Sequence, residues 1–319
     1  MKWCTYRLTG RTGLRTGVLD AGGDCIYGLE AGVTLLGLLE RDALSEAGRS
    51  ALHNPAEVVG MRDVALAPPI PRPPTFRDFM SFETHLQNSA KAMSLDVPQV
   101  WYREPAFYFS NPAAMLGPND PVKRPPGTVA LDYELEVAAV VSRSGSDLTP
   151  EQAEDHIAGY VVLCDWSARD FQRQEIPLTM GPSKSKDFAT SLSGFLVTPD
   201  ELADSMSAGR HNLRMTAEVN GRLCSEGNLS DLHWSFAEMI ATASRNTTVL
   251  PGDIIGSGTV GSGCLLELSG LHGTDAYPFL VPGDRVCLDV AGIGVINAEI
   301  CDSDVAFPLW NTEPSSEIL

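Results

Sequence analysis

LDYELEVAAVV (Leu131–Val141) has the composition of a buried β-strand. Seven of its eleven residues are Leu, Val or Ala, yet its first half carries an acid at every second position: Asp132, Glu134 and Glu136. Successive side chains of a strand point to opposite faces, so residues two apart share a face, with Cα atoms roughly 6.5–7 Å apart. Three like charges in a row repel, and burying a carboxylate without a partner is very costly. The face therefore either looks into water or meets a cation. The strand alone does not say which.

The flanking sequence is rich in strands. TPEQAEDHIAGYVVLCDW (149–166) supplies a helix with a Thr-Pro start and then an apolar strand, GYVVLC. RMTAEVNGRLCSEG (214–227) is a hairpin turned by Asn220-Gly221, and DLHWSFAEMIATASRN (231–246) is a helix. Two Pro-Gly-Asp turns, at 251–253 and 282–284, each lead into a strand. TFRDFMSFETHLQNSAKAM (75–93) has apolar residues at helical intervals and is expected to be a helix. Near the start, CTYRL, RTGVLD and CIYGL alternate with glycine turns, and a helical piece follows near GVTLLGLLERDAL. LAPPIPRPPTF holds five prolines between Pro68 and Pro74, too stiff for a helix or central strand, and separates a small module from a large one. The expected class is α+β, mostly β, with domains at 1–66 and 67–319.

Composition narrows the function classes. The formal net charge of -18 argues against nucleic acid, which needs a basic footprint, and against an anionic membrane surface. No apolar run approaches the roughly 18 residues needed to span a bilayer, and MKWCTYRLTGRTG lacks the apolar centre of a secretory signal. The 7 Cys are scattered, with no C-x-x-C, which fits a reducing compartment and a cytoplasmic location.

DIIGSGTVGSG contains G-x-G-x-x-G at Gly256, Gly258 and Gly261. A dinucleotide site needs a helix opening on those glycines within a βαβ unit. Here CLLELSG follows, which reads as a strand, so the glycines are expected to let the backbone approach a ligand or another strand.

Asp165 ends the apolar GYVVLC strand, and Asp78 stands at the head of the expected 75–93 helix. With Glu134 and Glu136 they make an all-oxygen set suited to a hard divalent cation. Each acid taken alone reads more readily as a solvated or capping residue.

The words around these acids go further. CDWSARDFQRQE (164–175), LDYELEVAAVV and PGDIIGSGTVGSGCLLEL (251–268) together resemble the fumarylacetoacetate hydrolase family, in collinear order over about residues 68–300. DWSARDFQ is the specific signal. The resemblance implies a small SH3-like N-terminal domain, a larger C-terminal domain built as a mixed β-sandwich roll, and a homodimer. It implies a divalent cation (Mg²⁺, or Ca²⁺ or Mn²⁺) held by Asp78, Glu134, Glu136 and Asp165. It maps the fumarylacetoacetase branch's catalytic His to His85 in DFMSFETH, and its partner Glu to Glu267 in an LEL strand. Arg169, Gln172 and Lys186 would serve as oxyanion donors, and Thr190, Thr259 and Tyr108 as substrate contacts. His85, seven residues after Asp78, would share its helix face about 10 Å further along the axis.

The sequence also departs from that branch. Met80 stands where the branch has a Tyr, Ser94 falls near its substrate-binding Arg, and Ile176 replaces a second substrate Tyr. Lost anchors and added apolar groups point to a bulkier, less charged acyl group. The first expectation is a hydrolase cleaving a C–C bond in a β-diketone or acylpyruvate, with a His–Glu-activated water and a cation-stabilised enolate leaving group. The second is a metal-dependent decarboxylase, isomerase or tautomerase of a 2-oxo acid. The third is an inactive metal-binding scaffold.

Overall fold

The computed structural model describes residues 1–305 apart from 93 and 208. Met93, at the end of the expected 75–93 helix, and residues 306–319, the end of the expected catalytic domain, lie outside the described residues.

Among the described residues, a sheet of 13 strands forms the spine of the molecule. Its middle runs Lys2–Leu8, Leu196–Val197, Ile157–Asp165, Leu135–Val141, Ile254–Gly256, Phe76–Phe79, and ends on Phe107–Phe109. Outside Lys2–Leu8 lie the N-terminal strands Leu14–Leu19, Cys25–Gly28 and Glu57–Gly60, with Val64–Ala67 paired to Lys2–Leu8. This N-terminal part joins the rest where Lys2 pairs with Val197 and Trp3 with Leu196. A second sheet of 5 strands holds the Arg214–Val219/Arg222–Asn228 hairpin and the strands Arg285–Val290 and Gly294–Cys301. Asn220 and Gly221 both take positive φ at the hairpin turn, as its Asn-Gly predicts. The mostly β class with accessory helices is what the sequence led us to expect.

Leu135–Val141 is central, paired with Ile157–Asp165 on one side and Ile254–Gly256 on the other, and every one of its residues is buried. Leu135, Val137, Ala139 and Val141 join one core cluster, and Ala138 and Val140 join another. A strand covered on both faces has no polar side to alternate with, hence the unbroken VAAVV. The three acids before it are buried too: Asp132 is 0%, Glu134 4% and Glu136 1% exposed. That takes them off the outer surface and leaves the charge to be met inside the protein.

Three local readings of the sequence are corrected. Asp78 lies on the strand Phe76–Phe79, and the helix begins only at Glu83 (Glu83–Ala92), so Asp78 and His85 do not share a helix face. All four residues of that strand are buried, which overrides the helical spacing of its phenylalanines. CLLELSG is helical rather than extended: Glu267 sits in the first turn of the helix Leu265–His272. LDYELEVAAVV is split into Leu131–Asp132 and Leu135–Val141, which sends its acids to different partners.

The glycines of DIIGSGTVGSG serve close packing. Gly256 pairs in parallel with Asp78, and a Cβ there would come within 2.3 Å of Asp78 Oδ1. At Gly258 (φ +75°) a Cβ would fall 2.1 Å from the Phe79 carbonyl. Only glycine lets these two segments lie so close, and the contact sets where Asp78 points.

Candidate active site

The site gathers at the ends of the central strands. In DWSARDFQ each polar residue has a separate task. Asp165 ends its strand in the site; Trp166 is buried and donates its indole N–H to Ser191 Oγ at 2.9 Å. Asp170 ties the following helix, Arg169–Glu175, to Thr128 Oγ1 (2.5 Å) and Val129 N (3.0 Å). Arg169 is thereby fixed facing inward.

Arg169 donates from Nε to Asp132 (2.8 Å), from Nη2 to Glu134 (2.9 Å) and from Nη1 to Gln172 Oε1 (3.0 Å). Asp132 also accepts from the backbone N–H groups of Leu265 (2.7 Å) and Leu266 (2.9 Å), so it caps the helix that carries Glu267. One buried carboxylate thus anchors both Arg169 and that helix, a role the sequence reading did not assign.

Lys186 bridges Glu134 and Asp165, the latter at 2.6 Å. The Tyr108 hydroxyl donates to Asp165 and lies 3.4 Å from Asp78 Oδ2. Thr259 Oγ1 donates to Glu136 at 3.3 Å. Burial works against a charge on Glu134, but Lys186 and Arg169 outweigh it and hold this carboxyl well below the usual range. Burial and then Asp165 hold Asp78 well above that range, and burial and then Asp78 do the same to Glu136. Burial pushes Asp165 up to about 6 even with Lys186 beside it.

Three of these carboxyls keep a buried oxygen without a partner among the described residues: Asp78 Oδ1, Glu136 Oε2 and Asp165 Oδ1. Buried polar atoms are normally satisfied, and hard oxygen donors left over in one place suit a divalent cation. Both Glu134 oxygens, by contrast, already accept from Arg169 and Lys186. The donor set fits a cation on three of the four acids as they stand.

Facing them is His85, whose Nδ1 donates to Glu267 Oε1 at 2.6 Å. Glu267 Oε2 accepts from Asn88 Nδ2 (2.8 Å) and Ser262 N (2.9 Å), and Oε1 from the Cys264 thiol (3.5 Å). His85, Cys264 and Glu267 place ligand atoms within 4.8 Å of one another. Burial pushes the Cys264 thiol well up, however, and the ring nitrogen nearest the carboxylate is already engaged, so this trio is a hydrogen-bonded dyad with a supporting thiol. His85 Nε2 lies 3.4 Å from the Ser89 hydroxyl.

A cavity of about 500 Å³ brings the two groups together; Asp78, Met80, His85, Tyr108, Glu134, Glu136, Arg169, Gln172, Lys186 and Thr259 line it. Asp165 stands behind, reached through Lys186 and Tyr108. Besides Asp165 and Glu267, which stand behind the wall and bond to residues in it, two more of the expected residues are not in the lining. Thr190 is buried directly opposite Asp165 in the ladder, and Ile176 is 41% exposed beyond the Arg169–Glu175 helix. The sequence reading missed Trp101, Glu104 and Asn88. Asn88, one helical turn after His85, could have been found from that spacing; Trp101 sits in the short 3-10 helix Gln99–Tyr102 and Glu104 just after it, where no periodic signal runs.

Comparison with known proteins finds a family match and several relatives. The family described as fumarylacetoacetate (FAA) hydrolase C-terminal matches residues 75–301. The mitochondrial oxaloacetate tautomerase FAHD2A of Homo sapiens is 30% identical over 266 residues, 82% of this chain and 78% of that protein. Oxaloacetate tautomerase YisK of Bacillus subtilis (strain 168) is 30% identical over 244 residues, 75% of this chain and 74% of that one. Among solved structures, a fumarylacetoacetate hydrolase from psychrophilic Exiguobacterium antarcticum has a TM-score of 0.73 at 25% identity, covering 95% of this chain and 100% of that one. The maleylpyruvate hydrolase from Sphingobium sp. SYK-6, solved with manganese (II) ion and pyruvate, has the same fold (TM-score 0.70, 23% identity, 95% and 100% covered).

Proposed function

The chain belongs to the fumarylacetoacetate hydrolase family, and on that footing we propose that it is a metal-dependent hydrolase cleaving a carbon–carbon bond in an acylpyruvate-like or β-diketone substrate. One observation carries the reading: a single cavity joins the His85–Glu267 pair, at 2.6 Å, to a cluster of buried carboxyls with unpartnered oxygens. Asp78, Glu136 and Asp165, with Glu134 beside them, would hold a divalent cation (Mg²⁺, Ca²⁺ or Mn²⁺). When bound, it would supply Lewis-acid stabilisation of the enolate that leaves as the bond breaks.

The chain's own residues would do the rest. Donation from Nδ1 to Glu267 fixes the imidazole tautomer and leaves Nε2 as the base that takes a proton from water. Glu267 offsets the charge on the imidazolium so formed. Lys186 and the amide of Gln172 would donate to the tetrahedral oxyanion, where one donor is typically worth about 10²–10³ in rate. Arg169, its donors directed to Asp132, Glu134 and Gln172, would act by fixing the orientation of those partners. Tyr108, Thr259 and Met80 would contact substrate.

A second reading, tautomerase or isomerase of a 2-oxo acid, is favoured by the names of the relatives, two of which are oxaloacetate tautomerases. The same pair of half-sites would then move a proton on the enolate carbon with no water attacking. The deciding experiment follows the enol absorbance of acylpyruvates, β-diketones and oxaloacetate with Mg²⁺ or with EDTA, and identifies products. Two fragments mean hydrolysis; an unbroken skeleton means tautomerisation; CO₂ means decarboxylation. No Mg²⁺-dependent change in any of them overturns the enzyme reading.

The finer fold assignment belongs to the same proposal: an SH3-like domain at 1–66 and a catalytic domain at 67–319. Its support is a separate small core of Cys4, Tyr6 and Ile26 among the N-terminal strands. Homodimerisation and a cytoplasmic location are proposals too, tested by light scattering and by cell fractionation. No helix among the described residues is long and apolar enough to cross a membrane.

A further inference from the structure

The wall of the cavity beyond the reacting groups is apolar and closely tied to them in sequence. Met80 follows Asp78 by two residues, Leu86 follows His85, and Leu266 precedes Glu267; all three line the cavity. Trp101, Val100 and Pro98 line it as well. Trp101 is 4% exposed and hangs from the chain on both sides. Its Nε1 donates to the Met80 carbonyl at 2.6 Å, and its own carbonyl accepts from Trp234 Nε1 at 3.2 Å. Its ring lies 4.8 Å from that of His233. Val100 is 55% and Met80 39% exposed, so this is apolar surface left open inside a concave site.

Charge at the same wall points the same way. The lining contains two permanent cations, Arg169 and Lys186, and both are engaged with the buried acids. Apart from His85 and the buried acids Asp78, Glu134 and Glu136, the remaining charged side chain of the lining is Glu104, which accepts from Arg245 at 2.9 Å. Arg245 itself lines a separate depression beyond Glu104. A second carboxylate on the substrate would therefore lose its water, find no free cation among the lining residues and face Glu104.

From this we infer that the site takes a 2-oxo acid or diketone whose far end is an uncharged aromatic or branched apolar group seated against Trp101, Val100 and Met80, and that it discriminates against substrates with a distal carboxylate. The inference rests on the proposed reaction for the identity of the head group, and on the Trp101 wall for the tail. It replaces Ile176, which is not in the wall, as the source of the apolar preference expected from the sequence.

The test uses the full chain with Mg²⁺ and separates tail from reaction. Two amide isosteres of a 2-oxo acid, oxamates bearing either N-phenyl or N-carboxymethyl, are compared by calorimetry. In parallel, kcat/KM is measured for benzoylpyruvate and maleylpyruvate. The phenyl oxamate is expected to bind at least about tenfold tighter, and benzoylpyruvate to lead in kcat/KM by a similar factor. Val100→Arg, at an exposed position that tolerates a long side chain, is expected to move the phenyl-to-carboxymethyl affinity ratio about tenfold toward the carboxylate. Equal, reversed or absent binding of the phenyl compound overturns the inference. Phenyl preference in binding with no turnover of any 2-oxo acid upholds it and overturns the proposed reaction instead.

Discussion

Two groups of buried carboxylates face each other across one cavity, and they are finished to different degrees. Glu267 accepts from four donors, His85, Asn88, Ser262 and Cys264, all supplied by the protein. Opposite it, Asp78, Glu136 and Asp165 each keep an oxygen without a hydrogen-bond partner among the described residues. The first group is an orientation device that is complete as folded. The second is stable only with protons or a cation to neutralise it. A fold can bury many acids, and the state of their lone pairs tells which ones hold another residue and which ones are kept for something from outside.

The comparison can be broken most sharply at His85. In His85→Ala the finished half loses the group it exists to orient, and hydrolytic turnover is expected to fall by about 10²–10⁴. Stopped-flow decay of the enol signal with product identification checks this. A variant within tenfold of the parent would mean that His85 moves no proton in the rate-limiting step. Next comes Asp132, the strut between halves. Asp132→Ala removes a helix cap and leaves Arg169 short of a buried partner, with an expected loss of about 3–5 kcal/mol in urea unfolding. A loss below about 1 kcal/mol, the value of a cap alone, would show that the halves are not coupled through it.

The unfinished half is probed by pH. Burial raises Asp165 to about 6 and holds Asp78 and Glu136 well above their ordinary range. Carboxyls with raised folded-state pKa stabilise the metal-free protein while protonated, and that contribution is lost as pH rises through about 6 and beyond. A cation takes the place of those protons, so the gap in Tm between Mg²⁺-loaded and EDTA-treated protein is expected to widen from pH 5 to pH 8. With Mg²⁺ a hundredfold above Kd the accompanying stabilisation should amount to about 2.7 kcal/mol. A gap that is flat or narrows over this range would contradict the reading of the three orphaned oxygens. The smallest effect is expected at Asn88. Asn88→Ala removes one of the four donors to Glu267 and should cost about 0.5–1.5 kcal/mol, with a modest fall in kcat and little change in KM.

The chemistry of the site was more legible than its scaffolding. Asp165 stands in DWSARDFQ, a word with its own signal, whereas His85 and the Glu134/Glu136 pair gained theirs only from the resemblance; the structure puts His85, Glu134 and Glu136 in the wall of one cavity with Asp165 behind it. The elements beneath them were harder. CLLELSG has the short apolar run that strands and helices share, and its helix cap comes from Asp132, a residue 133 positions away that no local window contains. The helical spacing of FRDF continues into the true helix at Glu83, but burial on both faces, a tertiary fact, makes it a strand. Trp101 had no motif at all. Its importance comes from two hydrogen bonds made by folding, to Met80 and from Trp234.

His85 and Glu267 are separated by 182 residues. Contacts between such distant partners make for slow folding, because a long loop must close before anything rewards the closure. On the ribosome, His85 emerges long before its carboxylate partner is synthesised, and Asp132 waits for the helix it will cap. Until then the nascent chain holds a cluster of repelling acids and uncovered apolar strands, the kind of species that aggregates. This protein is therefore expected to depend on chaperones, or on early capture of a cation, to reach its native state in good yield.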